Sequence, residues 1–381
     1  MARNLTTDQA DFAEAVREFT RKECGNPSQR HSLTGNGVHR HHQTLYEKLG
    51  DLGWIGVGLS AEMGGSGGDL VDECIMLQEL ARGGAPIGGV IPSLIVAGTY
   101  ERFGTTEQRE QRVPAIAAGE VHAIAMSEPH AGSDVAALTC SAIRRGDDWV
   151  LNGQKTWITN AHFADWVLVV ARTSKGERKH HGLSMFEVPI RTPGIDVRTI
   201  PTMGEAEIND LFFDDCVVPG SALVGTVDEG WTQLMSGLEH ERLMMASQLL
   251  GFAQRIVDRV HTYVTGREQF GKRLSDFQTV RHRLAEMATE TECCEAFVYT
   301  IAAQASAGSP TSLAKATSMA KLKASEVLKA NALAGVQLMG AYGYTIESEM
   351  ARDVTTAIAS TIYGGTSEIQ KDIIAKRMGL G

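Results

Sequence analysis

The sequence predicts a mainly helical protein with a compact β domain in its middle third. Three observations predict it. Apolar residues recur at helical spacing up to about residue 121, short extended runs separated by polar, Pro or Gly turns occupy about 122 to 220, and helical spacing returns after Gly230 and persists. At 381 residues the chain is too long for one ordinary core and divides on this pattern into two or three domains.

In the first part, Phe12, Ala15, Val16 and Phe19 mark one helix, and Leu45, Leu49 and Leu52 mark a second that stops at Gly53. Gly64, Gly65, Ser66, Gly67 and Gly68 form a turn before a helix over Val71 to Ala81. That turn lacks the Gly-Lys-Ser/Thr ending of a phosphate loop. In the middle part, Trp149 to Leu151 and Lys155 to Thr159 flank Asn152-Gly153, which reads as a hairpin turn. Strands are expected over Trp166 to Ala171, Gly182 to Val188, Ile195 to Ile200 and Leu211 to Val218. In the last part, Leu234, Leu238, Met245, Leu249, Phe252, Ile256, Val260 and Tyr263 trace one apolar face. Helical runs follow from about 276 to 306, 311 to 340 and 366 to 378, and four long helices imply a bundle.

Composition excludes several function classes. A net charge of -10 argues against a general nucleic-acid binder, whose affinity rests on Lys and Arg contacts to phosphate. No stretch approaches the roughly 20 apolar residues that span a bilayer. The polar N-terminus lacks the features of a signal or transit peptide, so a cytoplasmic location is expected. The six cysteines (Cys24, Cys74, Cys140, Cys216, Cys293, Cys294) show no metal-finger spacing and read as reduced thiols. His39, Arg40, His41 and His42 sit beside Gly35, Asn36 and Gly37 and read as a solvated loop, so no metal is expected.

The chemistry lies in five segments. Ala125-Met126-Ser127-Glu128-Pro129-His130-Ala131-Gly132-Ser133-Asp134 falls where helices give way to strands, and its small residues and hydroxyls suit close approach to an anion or ring. Trp157-Ile158-Thr159, Arg267-x-Gln269-Phe270-Gly271, Gln337-x-x-Gly340 and Tyr363-Gly364-Gly365-Thr366-Ser367-Glu368 follow. In this order and at these separations the five segments resemble the acyl-CoA dehydrogenase family over nearly the whole chain. The resemblance implies an N-terminal α-helical domain (1–121), a middle β-barrel domain (122–228) and a C-terminal four-helix bundle (229–381). It also implies a homotetramer with non-covalent FAD, and a flavoprotein oxidoreductase of fatty-acid metabolism that passes its electrons to an electron-transfer flavoprotein.

Carried over by position, Met126, Ser127, Gly132, Ser133, Trp157, Ile158 and Thr159 resemble the middle-domain cradle of the flavin and pyrophosphate, with Trp157 shielding the ring. Arg267, Gln269, Phe270, Phe277, Gln278, Gln337, Gly340 and Ala341 resemble the part that holds the FAD of a neighbouring subunit. Thr366 and Glu368 open the last helix, where unpaired amides favour polar cofactor groups. The resemblance assigns Ser133, Glu239, Arg242, Tyr363, Gly365 and Lys376 to substrate contacts.

One departure decides the mechanism. Many family members carry the catalytic glutamate in a Tyr-Glu-Gly-Thr sequence, and here that sequence is Tyr363-Gly364-Gly365-Thr366. Glycine cannot accept a proton, so the carboxylate comes from elsewhere. The isovaleryl-CoA and long-chain branches use a glutamate in a Glu-Arg pair at the start of the first bundle helix, and Glu241 of Leu238-Glu239-His240-Glu241-Arg242 matches it. Glu239 competes, but residues two apart on a helix point roughly 200° from each other, so only one faces the substrate. Glu241 is the expected base, with the Gly364 N–H polarising the thioester carbonyl. The expected reaction removes the α-proton to Glu241 and passes the β-hydride to flavin N5, on a CoA or acyl-carrier-protein thioester. The alternatives are a same-fold flavin oxygenase or oxidase and a non-catalytic partner subunit of a heteromer.

Overall fold

The computed structural model describes residues 5–204, 207–308 and 312–380. The first four residues of the polar N-terminus, and the first residue of the helical run expected from 311, lie outside the described residues. In chain order the elements are α1 (Thr7–Cys24), α2 (Pro27–Leu33), α3 (Gln43–Asp51), α4 (Leu70–Gly83), α5 (Val90–Phe103) and α6 (Thr106–Ala117). The sheet segment follows: β1 (His122–Ala125), β2 (Ser141–Arg145), β3 (Asp148–Thr159), β4 (Trp166–Arg172), β5 (Leu183–Pro189), β6 (Ile195–Thr199), β7 (Ile208–Pro219) and β8 (Leu223–Val224). Then come α7 (Gly230–Met235), α8 (Leu238–Gly266), β9 (Glu268–Gln269), β10 (Lys272–Arg273), α9 (Gln278–Ser306), α10 (Ala314–Met339), α11 (Met350–Ser360) and α12 (Ser367–Arg377). Local sequence fixes many of the starts. Thr6 with Gln9, Asn26 with Gln29, Asp69 with Asp72 and Thr105 with Gln108 form capping boxes in which side chain and backbone satisfy each other's end groups.

These elements fold as two compact units. One gathers Met1–Asn36, Asp69–Ala85 and Glu239–Gly381, and the other Gly37–Gly68 and Pro86–Leu238. The first is helical, with a core built along α8 from Leu243, Ala246, Leu249, Leu250, Ala253, Ile256 and Val260 against Cys74 and Ile75 of α4, Val298 of α9, and Ala324 and Leu328 of α10. The apolar face expected from Leu234 to Tyr263 is not one helix: it breaks at Ser236 and Gly237, between α7 and α8. The sequence reading also missed α11, for a physical reason. Glu349 at its start adopts φ 57° and offers no side-chain cap; instead its buried carboxylate is held by Arg30, Arg255 and Arg259. Burial alone would raise this carboxyl, but the arginines overcome burial and hold it at about 2.

The second unit carries the sheet, with strand order β6-β7-β3-β2-β4-β5-β8 and β1 pairing β4 in parallel. Among the described residues β6 does not pair with β8, so the expected barrel is seen as an open middle sheet domain. The expected hairpin at Asn152-Gly153 is corrected: β3 runs unbroken through it, and the pair forms a bulge between Leu151 and Gly153 opposite β7. Gly153 takes φ 140°, and the Asn152 amide is used across the ladder, donating to Asp215 Oδ1 at 3.0 Å and accepting from Asp215 N at 2.8 Å. The signal for positive φ was real, but it served a bulge.

The solvated loop expected at His39 to His42 is corrected in part: His39 is exposed as expected, but His41 and His42 are put to structural use. His41 is buried, stacked on Phe163 with ring centroids 4.6 Å apart, and burial pushes its pKa down to about 4. His42 caps α3 by accepting from Leu45 N at 3.2 Å. Among the described residues no cluster of His, Cys, Asp or Glu could hold a metal, and no helix is long and apolar enough to cross a membrane.

Candidate active site

In the sheet unit the segment after β1 is organised around one buried carboxylate. Glu128 Oε1 accepts from Lys155 Nζ and from Cys140 N, both at 2.8 Å, and Oε2 accepts from Thr139 N at 2.7 Å and Thr139 Oγ1 at 2.9 Å. Lys155 Nζ also donates to Met126 O at 3.0 Å, and Thr156 N to Ser127 O at 2.9 Å. Residues 126 to 140 are thereby fastened to β3 from beneath. Burial opposes ionisation of Glu128, but Lys155 and the two amides hold its carboxyl below the usual range. Gly132 and Ser133 are exposed, and a Cβ at Gly132 would meet nothing within 4 Å.

Trp157 comes to the surface because β3 bulges a second time, between Lys155 and Ile158. Its φ is 62° and its side chain is 58% exposed, while Ile158 is buried and Thr159 half-buried. An exposed indole on a left-handed backbone departs from both the strand and the core rule, and such departures collect at functional sites. The structure therefore brings Met126, Ser127, Trp157, Ile158 and Thr159 into neighbouring segments of one sheet face region tied through Thr156 and Lys155.

In the helical unit Arg267, Gln269 and Phe270 belong to one exposed hairpin, and Phe277 and Gln278 follow it at the start of α9. Leu274 N donates to Arg267 O at 2.8 Å, Phe270 and Gly271 form the turn between β9 and β10, and Phe270 meets Phe277 with ring centroids 6.3 Å apart. Gln337, Gly340 and Ala341 end α10 nearby: Tyr342 stacks on Tyr263 of α8 at 5.5 Å. Phe270 is 93% exposed.

The second cluster in this unit surrounds the Tyr363 to Thr366 turn. Glu241 and Met245 lie one turn apart on the same face of α8. A Cβ added at Gly364 would overlap Met245 Sδ, with Met245 Cε 2.9 Å away and Lys321 Cε 3.7 Å away. Gly364 and Gly365 both take positive φ, 62° and 83°. The carbonyls of this turn are held from within: Gln370 Nε2 donates to Gly364 O at 2.9 Å and Gly365 O at 3.2 Å, and Lys321 Nζ donates to Gly365 O and Ser360 O at 2.9 Å. Thr366 caps α12, accepting from Ile369 N at 3.3 Å. Glu368 lies in the first turn beyond it, its carboxyl lowered by its own backbone amide and Thr366.

The two glutamates are separated by what they touch. Glu239 turns to the start of α10, accepting from Ser312 Oγ at 2.6 Å and Leu313 N at 2.9 Å. Glu241 has no such partner, and desolvation pushes its carboxyl up to about 7 against the pull of Arg242, Lys321 and His240. A carboxylate near 7 is poised to take a proton at neutral pH. Arg242 Nε, Ser318 Oγ and Gln370 Oε1 are buried without a hydrogen-bond partner among the described residues, as are both amide atoms of Asn160 in the sheet unit. Such atoms call for a partner from outside the chain, and they fit polar groups of a cofactor and its substrate. Lys376 stands in the last turn of α12, exposed and about 15 Å along the helix from the Gly365 turn.

Sequence reasoning missed Glu128 with Lys155, and Lys321 with Gln370. Lys321 left a trace: it interrupts a run of small residues, Thr317, Ser318, Ala320 and Ala324, on the buried side of α10.

Models of the acyl-CoA dehydrogenase N-terminal, middle and C-terminal domains match residues 6–120, 123–216 and 228–379. The protein belongs to the acyl-CoA dehydrogenase family. The rat mitochondrial long-chain specific acyl-CoA dehydrogenase is 36% identical over 99% of this chain and 87% of its own length. The CarC subunit of the caffeyl-CoA reductase-Etf complex of Acetobacterium woodii is 35% identical over 87% of this chain and 89% of its own. The crystal structure of the Geobacillus kaustophilus acyl-CoA dehydrogenase superposes with a TM-score of 0.93, at 34% identity and full coverage of both chains. The family's fold, helical N-terminal and C-terminal domains around a middle sheet domain, is therefore this chain's fold, and its class is oxidoreductase.

Proposed function

We propose that the chain desaturates an acyl-CoA thioester between its α and β carbons, with Glu241 as the base. The observation that carries this reading is the pairing of a half-buried carboxylate raised to about 7 with a turn where glycine, at a φ of 62°, stands in place of the usual one. Glu241 takes the α-proton, and the Gly364 N–H, whose neighbouring carbonyls are engaged by Gln370 and Lys321, donates to the thioester carbonyl as charge develops on it. Bound FAD supplies the acceptor for the β-hydride. Met126, Ser127, Gly132, Ser133 and Trp157 to Thr159 would hold its ring and phosphates, supported by the exposed indole and the open space beside Gly132. Arg267, Gln269, Phe270, Phe277, Gln278, Gln337, Gly340 and Ala341 would hold the cofactor of a neighbouring copy. A homotetramer belongs to the same proposal, since that second set of residues serves a neighbouring copy's cofactor. Thr366 and Glu368 would add polar contacts, and Ser133, Arg242, Tyr363 and Gly365 would contact substrate; Glu239 acts there through α10, which it caps.

An electron-transfer flavoprotein is the proposed acceptor, supported by the Etf-complex relative. The described free thiols fit a reducing compartment such as the cytoplasm. The three-domain division at 121 and 228 and closure of the middle sheet into a barrel belong to the same proposal.

Anaerobic flavin bleaching with a panel of acyl-CoA thioesters tests it. Wild type bleaches with a rate that rises through about pH 7 as Glu241 loses its proton, and Glu241→Gln slows bleaching by roughly a thousandfold or more. Equal rates in the two proteins would remove Glu241 from the mechanism.

A further inference from the structure

Lys321 is withdrawn completely from solvent inside the helical unit, yet no carboxylate lies in ion-pair contact with it among the described residues. A buried ammonium without a counter-ion is costly, and a chain keeps one only where it does something a neutral residue cannot. Its surroundings say what. Nζ spends two of its three protons on the carbonyls of Ser360 and Gly365, which bracket Gly364, and it lies 5.7 Å from the Tyr363 ring centroid. Met245 and the Lys321 stem both line the space that a side chain at Gly364 would enter. The turn that carries the Gly364 N–H is therefore fastened on either side of the glycine by the two carbonyls that Lys321 holds, with Gln370 holding the carbonyl of Gly364 itself.

We propose that Lys321 is a positioning residue for the reaction: it fixes the Gly364 amide toward the thioester oxygen and supplies the positive field in which Glu241 stays ionised. The proposal rests on Glu241 being the base. The charged and titratable groups facing that carboxylate are His240 and Arg242 on its own helix, with Glu239 turned away to α10; Glu73 of α4, engaged with His240; Lys321 from α10; and the Tyr363 ring beside the turn. Arg242 and His240 attract the carboxylate from the side of α8. Lys321 alone attracts it from the side of the glycine turn.

Two substitutions separate the two parts of the role. Lys321→Gln keeps an N–H donor for the carbonyls and removes the charge, while Lys321→Met removes both. Each is loaded with FAD and followed by anaerobic bleaching with a good acyl-CoA across pH 6 to 9.5, alongside circular dichroism and FAD stoichiometry. In Lys321→Gln the acid limb moves up by about one pH unit and the plateau at high pH stays within a few fold of wild type. In Lys321→Met the limb moves likewise and the plateau falls at least tenfold, because the amide is no longer aimed. A purely structural lysine would change stability and leave the limb where it was. An acid limb at the wild-type position in Lys321→Gln overturns the proposal, and this variant decides alone if Lys321→Met does not fold. Failure of the base assignment is read separately, in Glu241→Gln: a wild-type limb that survives there belongs to some other group.

Discussion

Two lysines are buried completely, one in each compact unit, and they are used in opposite ways. Lys155 in the sheet unit ends on a carboxylate 2.8 Å away, and every remaining lone pair of importance on Glu128 is taken by Thr139 and Cys140. Lys321 in the helical unit ends on two carbonyls, and no carboxylate among the described residues forms an ion pair with it. A closed pair makes a rigid loop and leaves nothing over. An open one leaves a field for chemistry.

The largest effect that would sharpen this contrast is structural. Lys155→Met leaves the Glu128 carboxylate buried and uncompensated, and urea unfolding should show a loss of about 3–5 kcal/mol. A loss below about 1 kcal/mol would mean that the pair is no scaffold. The next effect concerns pH. Burial lowers Lys321 from 10.5 to about 8, against the pull of Glu241, so between these values the unfolded chain binds more protons than the folded one. Stability of the wild type relative to Lys321→Gln should then rise from pH 8 to 10.5 by on the order of 2–3 kcal/mol. A flat difference would mean that the ammonium is compensated after all. The smallest effect tests whether the glycine turn leans on Lys321 or on the helix that follows it: Thr366→Ala should cost about 1 kcal/mol in thermal unfolding and leave the acid limb of bleaching unmoved.

Much of this was legible in the sequence, and the limit is physical. Periodicity of 3.6 and 2 residues marked the helices and strands, because the side chains that face a core are local in sequence. Glu241 was singled out by its resemblance to the Glu-Arg pair of the isovaleryl-CoA and long-chain branches, and the structure adds its burial and raised carboxyl. What could not be read were contacts closed by tertiary folding. Glu128 finds Lys155 27 residues on, Lys321 finds Ser360 and Gly365 39 and 44 residues on, and Glu349 at the start of α11 finds Arg30 319 residues back. Asn152-Gly153 failed for a related reason: the residues permit positive φ but do not say whether a turn or a bulge will use it, and Asp215 across the ladder decides. His41 looked solvated in a polar stretch until Phe163 covered it.

Met245 against Gly364 has a further consequence, for the routes open to sequence change. A side chain at 364 would enter the space of that sulfur and would also have to accept a φ of 62°. Returning a proton acceptor to 364 thus asks the flexible end of Met245 to shift and the backbone to bear the strain, and Gly364→Glu would carry two carboxylates around one lysine. The strain at that left-handed backbone is a cost that any side chain at 364 carries, whatever space Met245 yields.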